Sequence, residues 1–326
     1  MLTSTIRTPR FFQLHRIDDA ALADEAASGL LRQRAAVPPK FFYDALGSRL
    51  FDAITELAEY YPTRTETAIF AQHGAAIAAA ALRAVGPAPL MIDLGAADCA
   101  KAARLFPLLH PGRYVAVDIS VEFLRQAMGC LQREHPQMDL TGVGLDFSAR
   151  LQLGAEITGN APALVFYPGS SIGNFSPDEA LRLLREARAL SRGGALLIGV
   201  DLVKETATLE AAYDDDLGVT AAFNLNLLKH LNRLLGADFD VRQWRHVARF
   251  DAAASRIEMH LEARQDLVVR WRGGQRGFAA GERIHTENSH KWTPADFGGL
   301  LRRAGFADVE HWADERGWFA VFLASG

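Results

Sequence analysis

The sequence has little cysteine and no long hydrophobic run. Only two of its 326 residues are cysteines, which excludes a disulfide framework and favours a reducing, cytoplasmic location. No Cys/His spacing of the zinc type occurs, so no metal site is predicted. The most apolar run, residues 75–82, is too short to span a bilayer, and residues 1–8 contain no apolar core of a secretory signal peptide.

The chain also lacks an excess of positive charge. Its 35 Lys and Arg residues are outnumbered by 39 Asp and Glu residues, which gives a net charge of -4, and no basic cluster occurs. We therefore expect neither nucleic acid nor a membrane as a partner. Because 49% of the residues are hydrophobic, the chain can bury a full core, and a small molecule is the expected substrate.

Residues 90–101 predict the element around which the fold is built, a buried strand followed by Gly95 and an alanine-rich helix headed by Asp98. Such a turn exposes backbone N–H groups and allows a ligand to approach Gly95 closely. A dinucleotide site needs the fuller G-x-G-x-x-G pattern, and two of its three glycines are missing here. The missing glycines disfavour an NAD-dependent dehydrogenase.

Acidic residues follow the next two predicted strands. Asp118 ends the strand at residues 114–118, and Asp146 with Phe147 follows the strand at residues 140–145. S-adenosylmethionine has no phosphate and requires a carboxylate for its ribose hydroxyls and polar and aromatic contacts for its adenine. The pattern therefore favours S-adenosylmethionine. An alternative in which both acids only cap helices remains open.

Strand and helix patterns alternate through the middle of the chain, which predicts an α/β fold with a parallel sheet covered on both faces. The predicted strands are residues 90–94, 114–118, 140–145, 163–167 and 196–201. The fourth is followed by a loop, residues 169–174, in which glycines and serines expose backbone amides and carbonyls where a substrate would meet the cofactor.

Two helix starts are indicated by capping residues. Thr63 and Glu66 have the T-x-x-E form of a capping box, which predicts a helix from there to about residue 83. Ser176 is the predicted N-cap of the helix that follows the 169–174 loop.

The alternation stops after Lys204, where two helical patterns and four strand-like segments predict an inserted α+β unit. A helix at residues 293–304 and two closing strands then complete the first sheet. We predict a core domain formed by residues 65–202 and 292–326, and a substrate-binding domain formed by residues 1–64 and 203–291.

Eight short stretches, distributed in order along nearly the whole chain, carry a resemblance to a known family. They are residues 42–48, 59–66, 169–174, 201–204, 212–215, 218–224, 256–259 and 286–287. The sequence resembles the S-adenosylmethionine-dependent histidine Nα-methyltransferases of ergothioneine biosynthesis. The resemblance implies a Rossmann-like class I methyltransferase core with a smaller α+β substrate-binding domain.

The resemblance also implies roles for single residues. The amino-acid end of histidine would be held by Tyr60, Gly169, Asn174 and Tyr213. Its imidazole would be bound by Glu287 and Ser289, with Met259 packing nearby. S-adenosyl-L-methionine would be held by Gly95, Lys101, Asp118, Asp146 and Phe147, with Tyr43 also lining the site. Members of the family usually have a second glycine where this chain has Ala97.

The residues around position 287 also suggest a function without the family. On a strand, Glu287 and Ser289 point to the same face, and a carboxylate with a hydroxyl can satisfy both nitrogens of an imidazole. His285 is expected on that same face and His290 on the other, so these histidines with His260 predict no metal site. Cys99 is expected to be a small apolar filler.

The predicted reaction is three successive SN2 methyl transfers to the α-amino nitrogen of L-histidine, ending in the trimethyl betaine. The rings of Tyr43 and Tyr60 are the predicted catalytic groups, because an aromatic face attracts the growing methylammonium. Two alternatives stay open. One is a methyltransferase acting on another amino acid or on an imidazole thiol, and the other is a non-catalytic protein that binds S-adenosylmethionine.

Overall fold

A computed structural model describes residues 7–14 and 19–326. Residues 1–6 lie outside the described residues, and they belong to the segment predicted to contain no signal peptide. Asp18, the predicted start of the first helix, also lies outside them. The strands are β1 (Arg10–Gln13), β2 (Leu90–Leu94), β3 (Arg113–Asp118), β4 (Asp139–Gly144), β5 (Ala163–Tyr167), β6 (Ala195–Asp201), β7 (Trp244–Asp251), β8 (Arg256–Ala263), β9 (Leu267–Trp271), β10 (Gly274–Phe278), β11 (Arg283–His290), β12 (Asp308–Ala313) and β13 (Phe319–Ser325).

Eleven α-helices and three short 3₁₀-helices are present in the described part of the chain. The α-helices are α1 (Asp19–Leu31), α2 (Ala45–Thr55), α3 (Tyr61–Val85), α4 (Ala100–Ala103), α5 (Phe106–Leu109), α6 (Val121–Glu134), α7 (Ala155–Thr158), α8 (Pro177–Ser191), α9 (Thr206–Ala211), α10 (Val219–Leu235) and α11 (Pro294–Arg303). The 3₁₀-helices are Pro39–Phe42, Ser171–Asn174 and Val241–Gln243.

The chain divides into two compact units. The first contains residues 7–14, Arg64–Leu202 and Trp292–Gly326, and the second contains residues 19–63 and Val203–Lys291. The sequence pattern predicts that residues 1–64 belong to the substrate-binding domain. The structure differs at the N-terminus, because β1 pairs in parallel with β4 and adds a strand to the sheet of the first unit.

The first unit is built on an eight-stranded sheet with the order β1-β4-β3-β2-β5-β6-β13-β12. The strands from β1 to β6 run parallel, whereas β13 is antiparallel to both of its neighbours. Every residue of β2, β5 and β6 is buried, which explains their mostly apolar sequence, since a strand covered on both faces does not alternate with polar residues. This sheet confirms the predicted Rossmann-like α/β fold.

The predicted cap of α3 is wrong, whereas the predicted cap of α8 is confirmed. The helix begins at Tyr61, before the predicted cap at Thr63, and the side chain of Glu66 is directed into the protein. Around α8 the predicted cap is present, because the Ser176 hydroxyl accepts from the Glu179 amide while the Glu179 carboxylate accepts from the Ser176 amide.

Helix α3 is also the one helix in the described residues that is long and apolar enough to cross a membrane by length and composition. Its apolar positions, among them Ile69, Ile77 and Ala81, are buried in the same cluster as Met91 of β2 and Phe166 of β5. We therefore interpret α3 as a core helix of the first unit.

The second unit contains a three-stranded antiparallel sheet, β11-β8-β7, and a β9/β10 hairpin. Strand β10 was not predicted. In β11 the register shifts between His285, which is opposite His260, and Glu287, which is opposite Met259. Directly opposed residues share a face, so this bulge places His285 on the other face from Glu287. The prediction that these two residues share a face was wrong, because it assumed regular alternation.

Candidate functional site

Three alternate residues of the glycine turn after β2 have left-handed backbone. Gly95, Ala97 and Cys99 have φ angles of 69°, 46° and 65°, and the amides of Gly95 and Ala96 both donate to the carbonyl of Val117 at the end of β3. The predicted helix begins only at Ala100 and lasts four residues as α4. Ala97 therefore adopts the backbone conformation that glycine prefers, although it carries a side chain.

Asp118 at the end of β3 organises this turn. Its carboxylate accepts hydrogen bonds from the amide of Ala97 at 3.0 Å and from the amide of Ser120 at 2.8 Å. Burial raises the pKa of Asp118, and the two backbone hydrogen bonds oppose this shift. The predicted ribose-binding acid thus lies directly beside the glycine turn.

Asp146 and Phe147 follow β4, the strand next to β3. The Asp146 carboxylate accepts the amide of Ser148 at 3.0 Å, and the Phe147 ring packs edge-on against Tyr167 of β5 with 5.7 Å between the centroids. A side chain added at Gly95 would come within 3.9 Å of the Phe147 ring. The structure therefore brings Gly95, Asp118 and Phe147 together at the carboxyl ends of β2, β3 and β4, where open parallel sheets bind ligands.

Lys101 and the 169–174 loop are connected through Glu66. The Lys101 ammonium lies 2.7 Å from one carboxylate oxygen of Glu66, and the Gly169 amide donates to the other oxygen at 2.8 Å. The side chain of Glu66 is only 2% exposed. A buried carboxylate with two such partners holds both groups in place, since leaving either bond unmade would be costly.

The 169–174 loop is also fixed at its second residue. Gly169 and Ser170 have positive φ angles of 78° and 58°, and the Ser170 hydroxyl accepts the amide of Asp201 at 2.8 Å. Asn174 ends the short 3₁₀-helix that follows. The predicted substrate loop is therefore held from α3 on one side and from β6 on the other.

In the second unit the three predicted tyrosines belong to one aromatic cluster. Phe51 lies between Tyr43 and Tyr60, with centroid distances of 5.9 and 6.2 Å, and Tyr60 packs edge-on against Tyr213 at 6.3 Å. Phe223 of α10 packs against both Tyr43 and Phe51. The cluster provides several ring faces and edges of the kind that attract a cation or an aromatic ring.

Glu287, Ser289 and Met259 share one face of the three-stranded sheet, as the register of β8 and β11 shows. All three are at least nine-tenths buried. Burial raises the pKa of Glu287 to about 8, and the positive charge of Lys291 opposes that shift. The predicted imidazole-binding pair is therefore a buried acid and a buried hydroxyl on the same side of the sheet.

Lys291 was not predicted and lies within this group. Its ammonium donates to the Ser289 hydroxyl at 2.8 Å and to the Tyr213 hydroxyl at 3.1 Å, while Tyr213 donates to Ser289 at 2.7 Å. Lys291 is 3% exposed. Period-two spacing from Glu287 through Ser289 to Lys291 is the sequence signal that could have found it.

The histidines that flank this region lie elsewhere. The rings of His260 and His285 are in contact on the opposite face, with 5.2 Å between centroids. Burial, with a smaller contribution from the nearby His285, lowers the pKa of His260 to about 4. Among residues 7–14 and 19–326 no group of three or more His, Cys, Asp or Glu side chains is arranged to hold a metal ion.

Comparison with known proteins assigns the family. Residues 22–326 match the model of the S-adenosylmethionine-dependent, histidine-specific methyltransferases. The chain belongs to this family. It is 40% identical to the histidine Nα-methyltransferase of Mycobacterium tuberculosis over 94% of this chain and 95% of that protein, and 39% identical to that of Mycolicibacterium smegmatis over 93% and 94%. It is also 28% identical to ergothioneine biosynthesis protein 1 of Neurospora crassa, over 85% of this chain and 32% of that protein.

Membership of the histidine-specific methyltransferase family confirms the predicted enzyme class and S-adenosylmethionine as the methyl donor. Two structural features of this methyltransferase were missed by the sequence analysis, namely Glu66 with its link to Gly169 and Lys291 with its link to Ser289. Glu66 had no usable sequence signal, because its partners Lys101 and Gly169 are 35 and 103 residues away.

Proposed function

We propose that this protein transfers three methyl groups in succession from S-adenosylmethionine to the α-amino nitrogen of L-histidine, producing the trimethyl betaine hercynine for ergothioneine biosynthesis. The observation that carries the proposal is the buried acid and hydroxyl pair, Glu287 and Ser289, on one face of a sheet in a chain of the histidine-specific family. An acid and a hydroxyl complement the two nitrogens of an imidazole.

We assign the cofactor to the first unit. Gly95 allows close approach to the backbone, Asp118 presents a carboxylate for the ribose hydroxyls, and Asp146 with Phe147 provides a polar group and an aromatic wall for the adenine. Lys101, held by Glu66, is assigned to the amino-acid end of the cofactor because that end carries a carboxylate.

We assign recognition of the histidine ring to the second unit, through Glu287 and Ser289 with Met259 packing beside them. The amino-acid end is assigned to Tyr60, Tyr213, Gly169 and Asn174. Before each transfer the α-ammonium loses one proton to solvent, and the freed nitrogen lone pair then forms a bond to the methyl carbon while the carbon–sulfur bond breaks. S-adenosylhomocysteine leaves. Most of the rate would come from alignment of the amine, and the Tyr43 and Tyr60 rings would stabilise the growing positive charge.

The reaction is placed in the cytoplasm, with neither nucleic acid nor a membrane as partner. Two observations support this placement. The net charge of -4 gives no attraction for polyanions. Cys99 is buried and Cys130 is exposed, and both are free thiols, as suits a reducing compartment.

The direct test is incubation of the purified protein with L-histidine and methyl-labelled S-adenosylmethionine. We expect mono-, di- and trimethylated histidine with every label on the α-amino nitrogen, identified by mass spectrometry and NMR. Label on the imidazole, or no release of S-adenosylhomocysteine, would contradict the proposal. Turnover across a panel of free amino acids and imidazole thiols tests the alternative acceptors, and Glu287→Ala should lower activity only if the imidazole is the recognised group.

A further inference from the structure

We propose that Lys291 positions the hydroxyl of Ser289 as a hydrogen-bond donor, and thereby makes the second unit select amino acids whose ring carries an acceptor nitrogen. The inference rests on the proposed function, because it concerns how that same site recognises the ring of its substrate. Lys291 is a positioning residue in this proposal, since it acts through Ser289.

The geometry of three buried polar side chains supports this role. Tyr213, Ser289 and Lys291 are 8%, 3% and 3% exposed. Their polar atoms form a closed triangle with sides of 2.7, 2.8 and 3.1 Å. The Lys291 ammonium also lies 4.8 Å from the centre of the Tyr213 ring. These contacts fix the position of the ammonium and of both hydroxyl oxygens.

The direction of each hydrogen bond follows from the chemistry of the groups. An ammonium has three donors and no acceptor, so Lys291 can only donate to Ser289 and Tyr213. Tyr213 donates its own hydroxyl hydrogen to Ser289. Both lone pairs of the Ser289 oxygen then accept hydrogen bonds, and its hydroxyl hydrogen is directed away from the triangle. Ser289 is thereby restricted to acting as a donor.

The neighbouring acid supplies the complementary function. Glu287 lies two residues earlier on the same face, and above its raised pKa of about 8 it is a carboxylate, which only accepts hydrogen bonds. A fixed donor beside an acceptor matches a neutral imidazole, which has one acceptor nitrogen and one N–H. A ring without the acceptor nitrogen would leave the buried Ser289 hydroxyl without a hydrogen-bond partner. The cost of that unpaired group makes the site discriminate strongly against such a ligand.

The test compares three ligands in binding titrations at about pH 9, where Glu287 is ionised, with S-adenosylhomocysteine present. Histidine has both ring functions, a pyrrolylalanine keeps an N–H without an acceptor nitrogen, and a thiazolylalanine keeps an acceptor nitrogen without an N–H. In Lys291→Met we expect the preference for histidine over pyrrolylalanine to fall about tenfold, which corresponds to one hydrogen bond. The preference over thiazolylalanine should change less than about twofold.

Lys229→Met is the matched control, because it removes the ammonium of an exposed lysine on α10 of the same unit. It should leave the preference over pyrrolylalanine unchanged. An equal loss of affinity for all three ligands in Lys291→Met would overturn the inference. If circular dichroism shows that Lys291→Met does not fold, the same titrations are made with Ser289→Ala. An unchanged preference for histidine over pyrrolylalanine in Ser289→Ala would also overturn the inference.

Measurements of histidine binding and methylation by the wild-type protein distinguish a failure of this inference from a failure of the proposed function. Wild-type protein that neither binds nor methylates histidine would overturn both. Wild-type protein that methylates histidine, combined with a Lys291→Met variant that keeps the full preference over pyrrolylalanine, would overturn only the role of Lys291. Methylated histidine together with a selective loss of that preference supports both.

Discussion

The backbone amide of Gly169 donates a 2.8 Å hydrogen bond to the buried carboxylate of Glu66, a residue 103 positions earlier in the chain. The second oxygen of the same carboxylate binds the ammonium of Lys101 at 2.7 Å. One side chain of α3 therefore holds both the loop after β5 and the lysine of α4. Because these two groups are assigned to the substrate and to the cofactor, Glu66 should affect the binding of each.

Glu66→Gln tests this relationship without changing the volume of the side chain. An amide has one acceptor oxygen, so the variant can keep the bond to Gly169 or to Lys101 but not both. We expect the Kd for S-adenosylmethionine and the KM for histidine each to rise about tenfold, as for the loss of one charge-assisted hydrogen bond. Isothermal titration and steady-state kinetics measure the two constants.

The control for this variant is Glu179→Gln. Glu179 closes an exposed capping box with Ser176, and glutamine serves in that motif as well as glutamate. Both constants should therefore stay near their wild-type values. If Glu66→Gln lowers only the thermal stability and leaves both constants within about twofold of wild type, Glu66 is structural and our interpretation is wrong.

The strands of the parallel sheet could be predicted from sequence because their burial is complete. The observed bounds of β2 and β5 are those predicted, and mostly apolar runs of this length are typical of covered parallel strands in a chain where strands alternate with helices. The carboxyl ends of β2 and β3 then located Gly95 and Asp118, which the structure brings together and which we propose as cofactor residues. The local sequence pattern was sufficient to predict structure wherever the conformation depends on a residue and its sequence neighbours.

Features that depend on distant partners could not be predicted in this way. The capping box at Thr63 and Glu66 matched a local motif, but the buried carboxylate has tertiary partners that outweigh the local one. The bulge in β11 changes the face of His285 without any mark in the sequence. Strand β1 is only four residues long and its residues are partly exposed, so it has no apolar pattern to recognise.

Ala97→Gly should stabilise the protein. Ala97 has a φ angle of 46°, a region that costs a residue with a side chain about 1 kcal/mol and costs glycine almost nothing. The greater freedom of glycine in the unfolded chain offsets part of the gain, so we expect a rise of roughly 0.5 kcal/mol in the free energy of unfolding. Urea unfolding measures it.

Ala75→Gly provides the control for that comparison. Ala75 is exposed in the middle of α3, where the same substitution should destabilise by about 1 kcal/mol because glycine is a poor helix residue. The two variants should therefore move in opposite directions. A loss of stability in both would mean that the turn does not hold Ala97 in left-handed backbone.

Asp93→Asn should remove a pH dependence of stability. Burial raises the pKa of Asp93 from 3.8 to about 7, against the hydrogen bond from Tyr114. Between about pH 4 and 7 the unfolded chain releases this proton and the folded protein keeps it, so the stability present below pH 4 is lost as the pH rises. Relative to wild type, the variant should gain stability up to about pH 7 and then stay level. Urea unfolding measures the free energy of unfolding of both proteins. A difference between Asp93→Asn and wild type that stays constant from about pH 4 to pH 7 would contradict the raised pKa of Asp93.

The ionisation of Glu287 should affect the affinity for histidine. Burial raises its pKa to about 8, so the carboxyl is mostly neutral at pH 7 in the absence of substrate. The carboxylate formed at higher pH accepts the ring N–H in a charge-assisted bond, which is stronger than the bond to the neutral acid by about 1 kcal/mol, or roughly fivefold in Kd. Wild-type affinity should therefore improve as the pH rises through about 8.

Glu287→Gln isolates this effect from the titration of histidine itself. The glutamine variant meets the same substrate ionisations but cannot form a carboxylate, so the ratio of its Kd to the wild-type Kd cancels the contribution of the substrate. We expect that ratio to increase about fivefold from pH 6.5 to pH 9, measured by calorimetry with S-adenosylhomocysteine bound. A constant ratio would show that the carboxyl of Glu287 does not receive the imidazole N–H, because the charge on the acceptor would then have no influence on ring binding.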